Sequence, residues 1–196
     1  MRAAGVILAG GLARRMGGGD KPLAVLAGRP LLAHVIDRLR PQVARLALNA
    51  NGDPARFASW GLPVIADSLP GFPGPLAGVL AGMDWAAAQG FELLVSAPGD
   101  TPFLPADLVT RLEAARIAAG TELACARSAG RAHPPVALWP VALREDLRAA
   151  LDAGEGKVSR WMGRHGCAEA EWPDDPFFNA NTPEDLLRAE ALLRGG

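Results

Sequence analysis

Apolar residues fall along this chain in two alternating rhythms. Short apolar runs at 5–8 (Gly-Val-Ile-Leu), 45–48, 63–66, 91–95 and 122–125 are too brief for a typical helix and mostly continuous rather than alternating. Such runs suit strands covered on both faces. Between them the spacing becomes helical: Leu32, Val35, Ile36 and Leu39 fall at i, i+3, i+4, i+7, Leu76, Val79, Leu80 and Met83 repeat it, and Leu143, Leu147, Ala150 and Leu151 follow i, i+4, i+7, i+8. A further strand-like run begins at His133 and reaches Trp139. Strands alternating with helices predict an α/β fold with a mostly parallel sheet flanked by helices.

The last helix announces its own start. Thr182 is placed to cap it, Pro183 suits the first helical position, and Asp185 stands where a capping box has its acidic partner. Leu186, Leu187, Ala189, Leu192 and Leu193 then supply an apolar face. The segment 70–75, Pro-Gly-Phe-Pro-Gly-Pro, reads as an irregular loop, and neither an internal repeat nor a linker-like stretch divides the chain. One domain over 1–196 is expected, and that length buries a core without staples.

Charge narrows the function classes. Lys and Arg total 20 against 21 Asp and Glu, a net charge of −1, so no basic footprint for nucleic acid or an anionic membrane is present and a polyanionic ligand must be held locally. The two cysteines, Cys125 and Cys167, form no Cys-x-x-Cys pair, and His34, His133 and His165 have no metal-ligand spacing. The apolar stretch at the start is too short to span a bilayer, and Gly-rich sequence follows Arg14-Arg15 where an export signal needs apolar residues. A cytoplasmic protein is expected.

The chemistry concentrates after the first strand. Residues 8–21 read Leu-Ala-Gly-Gly-Leu-Ala-Arg-Arg-Met-Gly-Gly-Gly-Asp-Lys. Glycines let backbone N–H groups crowd around phosphate oxygens, and Arg15 and Lys21 add positive charge. The loop is not a Walker A motif, because Lys21 follows Asp20 and precedes Pro22, and it lacks the Gly-x-Gly-x-x-Gly dinucleotide turn. The same composition also describes a plain surface turn with solvated arginines. Asp67 and Asp100 each close an apolar run, on the sheet edge where open α/β folds bind ligands. One or two carboxylates with substrate phosphate oxygens are what Mg2+ accepts, although an Asp after a strand also simply caps a turn. Asn179 and Asn181 before the last helix can present amide oxygens to a ligand or shape the turn. Asn49 and Asn51, after the 45–48 run, carry the same ambiguity, and their place on the ligand edge favours contact with a base or ribose.

Taken in order, Leu8-Ala9-Gly10-Gly11, Arg15-Met16-Gly17-Gly18, Asp20-Lys21, Gly74-Pro75-Leu76-Ala77-Gly78, Asp100-Thr101-Pro102-Phe103-Leu104-Pro105 and Asn179-Ala180-Asn181-Thr182-Pro183-Glu184-Asp185 closely resemble the molybdenum cofactor guanylyltransferase family. The resemblance implies a Rossmann-like nucleotidyltransferase fold and transfer of GMP from GTP to molybdenum-bound molybdopterin, yielding the guanine dinucleotide cofactor and pyrophosphate. It assigns the backbone of Leu8, Ala9 and Gly10, with Lys21, Asn49 and Asp67, to GTP, and Asp100 to both GTP and Mg2+. Arg15 matches the family's phosphate-loop arginine, making Arg15, Lys21 and Asp100 the catalytic candidates. Gly78, Asn179 and Asn181 are further site candidates, with Asn181 expected nearer the metal. Gly99 stands where the family often has Cys. Other cofactor-synthesis proteins and a molybdoenzyme chaperone are the protein partners the resemblance implies.

Three rival readings share parts of this pattern. A cytidylyltransferase acting on the same pterin tends to have Ala in place of the first Gly of Leu8-Ala9-Gly10-Gly11. A sugar-phosphate nucleotidyltransferase shares the glycine loop and Asp100 but matches the 179–185 segment less well. A noncatalytic carrier needs an anion pocket, yet not metal-ligand carboxylates.

Overall fold

In the computed structural model, residues 3–10, 21–69 and 74–195 are described, the side chain of Lys21 excepted. The sheet is built from β1 (Ala4–Leu8), β4 (Arg45–Asn49), β5 (Val64–Ile65), β6 (Leu93–Pro98), β7 (Leu123–Ser128), β8 (Arg131–Pro140) and β9 (Cys167–Trp172), with β2 (Val25–Leu26) and β3 (Arg29–Pro30) forming a separate small hairpin. Its order is β5-β4-β1-β6-β8-β7-β9. All neighbours run parallel except β8, which is antiparallel to β6 and β7. The mostly parallel sheet expected from the sequence is therefore present.

Successive strand residues feed opposite layers. On β1, Ile7 joins α1 (Leu31–Leu39) and α3 (Leu108–Ala119), while Val6 joins α2 (Pro75–Ala88), α4 (Arg144–Asp152) and α5 (Val158–His165). Alternation across a doubly covered sheet explains why these strands are apolar at consecutive positions. Helix α2 is apolar nearly all round and packs closely on the sheet. A Cβ on its Gly82 would stand 2.8 Å from Val6 Cγ1 and 2.9 Å from Leu94 Cδ2, so glycine permits the approach.

The differences from the sequence reading have physical causes. Pro75 belongs to α2 as its first residue rather than to a loop, since its missing N–H costs nothing there; residues 70–73 lie outside the description. Strand β8 carries Pro134 and Pro135 inside the sheet, and the ladder accommodates them with a register shift opposite Cys125 and Ala126. Helix α3 escapes the pattern because only Leu108 and Leu112 are buried. Strand β9 escapes it because its buried positions include the small residues Ala168 and Ala170, alternating with Glu169 and Glu171, which face Arg127 at 2.7 and 3.1 Å.

Helix α6 (Pro183–Gly195) starts as expected: Asp185 Oδ2 accepts the N–H groups of Asn181 and Thr182 at 2.9 and 3.0 Å, and Thr182 Oγ1 accepts that of Asp185 at 3.2 Å. Its apolar face is narrower than expected. Ala189, with partly buried Leu186, packs on Leu26, Leu31 and Phe178, while Leu187 and Leu192 stay 68% and 52% exposed. Replacing Asp185 removes the acceptor for two helix-start N–H groups, so Asp185→Ala lowers the unfolding free energy by about 1–2 kcal/mol in urea titrations. An unchanged urea midpoint contradicts this role.

Candidate active site

The order of strands reverses about β1, whose chain continues outward to β4 and β5 on one side and returns to β6 on the other. Ligands in open α/β sheets bind at the carboxyl ends of strands beside such a reversal. A cleft of about 430 Å³ opens there, lined by Leu8, Gly10, Pro22, Asn49, Asn51, Asp67, Gly74, Pro75, Pro98, Gly99, Asp100, Pro135 and Asn179. Its floor is stapled across the strand ends. Ala9 N–H donates to Asn49 O at 2.8 Å, and Gly99 N–H donates to Leu8 O at 3.0 Å.

Asn49, the last residue of β4, is buried, and its Nδ2 donates to Ile65 O at 3.2 Å and to Asp67 Oδ1 at 2.9 Å. Asn51 Nδ2 reaches the other oxygen, Asp67 Oδ2, at 2.6 Å. Asp100 follows β6 and is buried; its carbonyl accepts Ala180 N–H at 3.0 Å. Beside it, the Thr101 hydroxyl donates to Asn179 Oδ1 at 2.8 Å. Asp67, held by residues at the end of β4, and Asp100, after β6, thus line different parts of the cleft, two to three strand spacings apart, roughly 10–14 Å at the usual spacing of about 4.8 Å.

Of the residues singled out from sequence, Leu8, Gly10, Asn49, Asp67, Asp100 and Asn179 meet in this cleft. Ala9 is buried and contributes its backbone. Gly78 does not line the cleft: a Cβ there would run into Asn49 Oδ1 and approach Leu8 Cδ2 to 2.9 Å, so this glycine leaves room for the Asn49 carboxamide. Asn181 lines an adjoining pocket with Asn179, Asp175, Arg131 and Arg188. Arg15 and the side chain of Lys21 lie outside the described residues; Lys21 opens the short helical turn Lys21–Leu23. Sequence reasoning passed over Thr101 as a site residue, although its hydroxyl directly follows Asp100.

The histidines acquire partners that spacing did not show. Ser128 Oγ lies 2.8 Å from His133 Nε2 and donates to Asp175 Oδ1 at 2.9 Å, tying β7 and β8 to the segment that carries Asn179. Burial holds His133 below its ordinary pKa, helped by Arg131 and opposed by Asp175, which favours a neutral, structural imidazole. His165 Nε2 lies 2.9 Å from Asp146 Oδ1, and His34 Nε2 lies 3.1 Å from Leu26 O.

Sheet order, cleft and helix layers define an open α/β domain with a ligand cleft at the carboxyl edge of its sheet. The family model described as the MobA-like NTP transferase domain matches residues 5–169. Across 193 residues the chain is 63% identical to a molybdenum cofactor guanylyltransferase from Rhodopseudomonas palustris (strain BisB5), covering 95% of this chain and 92% of that protein. It is 59% identical over 194 residues to one from Bradyrhizobium sp. (strain ORS 278), covering 96% and 92%. Among solved structures, molybdopterin-guanine dinucleotide biosynthesis protein A from Archaeoglobus fulgidus superposes with a TM-score of 0.75 at 24% identity, over 98% of this chain and 100% of that one. A 4-diphosphocytidyl-2C-methyl-D-erythritol synthase from Anaerococcus prevotii DSM 20548 shares the fold at a TM-score of 0.77 and 12% identity, over 98% and 96%. The chain belongs to the MobA-like NTP transferase family and, within it, to the molybdenum cofactor guanylyltransferases.

Because Asn49 fills the space beside Gly78 and is tied by two hydrogen bonds, Gly78→Ala overpacks the site. Unfolding by urea is expected to show a net loss of about 1–2 kcal/mol, even after the gain in helix propensity. Equal or higher stability contradicts the close approach.

Proposed function

We propose that this chain transfers GMP from GTP to molybdenum-bound molybdopterin, releasing pyrophosphate and forming the guanine dinucleotide cofactor. The observation that carries the reading is the division of one cleft between an amide-braced carboxylate, Asp67, and a second, buried carboxylate, Asp100, about two to three strand spacings away. A nucleoside triphosphate has a base end and a phosphate end, and this cleft has a different polar group for each. Family membership supplies the reaction class.

Among the described lining residues the charged groups are Asp67 and Asp100. Two carboxylates repel a polyphosphate unless a cation stands between them. The described lining residues offer oxygen donors and neither thiol nor imidazole, a donor set that fits Mg2+. In this reading Asp100 holds the ion, which when bound neutralises charge on the phosphate oxygens and orients them. Lys21 and Arg15 complement the phosphates, and the backbone of Leu8, Ala9 and Gly10 approaches them directly.

The reaction makes few other demands. The terminal phosphate of molybdopterin is ionised at neutral pH, so one of its oxygens attacks the α-phosphorus of GTP without a strong base. A bond forms from that oxygen to phosphorus, and the bond from phosphorus to the bridging oxygen of pyrophosphate breaks. Alignment and charge neutralisation are then the protein's main contributions. No described helix is long and apolar enough to cross a membrane. A cytoplasmic location belongs to the same reading, as do transient contacts with other cofactor-synthesis proteins and a molybdoenzyme chaperone.

The test is pyrophosphate release by purified protein supplied with molybdenum-loaded molybdopterin and either GTP or CTP, with and without Mg2+. Release with GTP and Mg2+ together is expected, and folded Asp100→Asn protein should be slower by at least about a hundredfold, the scale of losing one major electrostatic stabiliser. Release with CTP reassigns the base, normal turnover by Asp100→Asn removes the metal role, and silence with both nucleotides contradicts the transferase reading.

A further inference from the structure

Asp67 is gripped more thoroughly than a half-buried loop carboxylate needs to be. Asn51 Nδ2 donates to its Oδ2 at 2.6 Å, while Asn51 Oδ1 accepts the Asp67 backbone N–H at 2.9 Å. One carboxamide therefore closes a ring on both the side chain and the main chain of the same residue. Asn49 Nδ2 takes the other carboxylate oxygen at 2.9 Å. Asn51 is itself held, its carbonyl accepting Arg56 Nη2 at 2.6 Å, just before Gly52 turns the chain at a φ of 85°.

Each carboxylate oxygen offers two lone-pair directions. The two asparagines use one on each oxygen, which leaves one further acceptor direction on each oxygen of a carboxylate held from two sides. The complement of that pair is two adjacent, parallel N–H donors. Among the common nucleobases, guanine alone presents this edge, in its N1–H and 2-amino groups. Adenine and cytosine each offer a donor beside an acceptor, and uracil has one N–H between two carbonyls.

We propose that Asn51 is a positioning residue that orients Asp67 to accept the N1–H and 2-amino donors of guanine, and so contributes to base selection. This rests on the guanylyl-transfer reading above. The base is favoured over the ribose by the strand order. Asp67 follows β5 and reaches the end of β4, and Asp100 follows β6, two to three strand spacings away, roughly 10–14 Å, whereas the ribose hydroxyls lie close to the α-phosphate.

The experiment is equilibrium binding of GTP, ITP and 2′-deoxy-GTP, in Mg2+, to the wild-type protein and to Asn51→Ala. ITP keeps N1–H and lacks the 2-amino group. Wild-type protein should bind ITP about tenfold or more weakly than GTP, the scale of one lost hydrogen bond to a charged group. In Asn51→Ala, GTP binding should fall toward that of ITP while ITP binding changes little, so the ratio collapses toward one. Retained ITP binding shows that the variant is folded, and a purely structural lesion would weaken both nucleotides equally. Asp67→Asn, which replaces one acceptor with a donor, should abolish the preference independently. A full GTP preference in Asn51→Ala overturns the positioning role. A penalty confined to 2′-deoxy-GTP moves the carboxylate to the ribose and overturns the base assignment, while wild-type protein that binds no GTP overturns the reading on which both rest.

Discussion

The hydrogen bonds from Ala9 N–H to Asn49 O and from Gly99 N–H to Leu8 O hold the end of β1 between the ends of β4 and β6. Everything in the cleft depends on that junction. It sets the backbone of Leu8 to Gly10 as a floor, with Asn49, Asn51 and Asp67 on one side and Asp100 with Asn179 on the other. Parallel strands force this concentration, because their carboxyl ends all emerge at one edge of the sheet. The reversal of strand order about β1 then leaves a crevice at that edge rather than a covered crossing.

Packing beneath the junction is equally constrained. Gly78 and Gly82 bring α2 close to the sheet against Leu8, Asn49, Val6 and Leu94. The helix thus supports the site from below and leaves a defined volume for the Asn49 carboxamide. On the far side, Thr101 binds Asn179, and Asp100 O accepts Ala180 N–H, so the segment before α6 is pinned against the end of β6. The capping box of Thr182 and Asp185 fixes where that segment becomes helix, which links a local stability device to the shape of the cleft.

Much of this was legible in the residues. The buried strands β1, β4 and β6 and the amphipathic α1 declare themselves through apolar periodicity, and Pro183 with its flanking Thr and Asp marks the start of α6. Strand β9 and helix α3 did not, because alanine carries little hydrophobic signal and α3 buries only a narrow stripe. Individual site residues were visible as Asp or Asn at strand ends. Their partnerships were not, since the bracing of Asp67 by both Asn49 and Asn51 depends on the register of β4 against β5. Gly78 illustrates the same limit: the motif marked it for the site, but only its contact distance to Asn49 explains why it must be small.

The central claim is directional, with the base lying toward Asp67 and the phosphates toward Asp100. It is tested most directly by a crystal structure with Mg2+ and a GTP analogue whose α–β bridging oxygen is replaced by methylene, which prevents turnover. The account predicts the guanine edge against Asp67 and the α-phosphate beside Asp100. A nucleotide lying in the reverse sense, or bound outside this cleft, would contradict it.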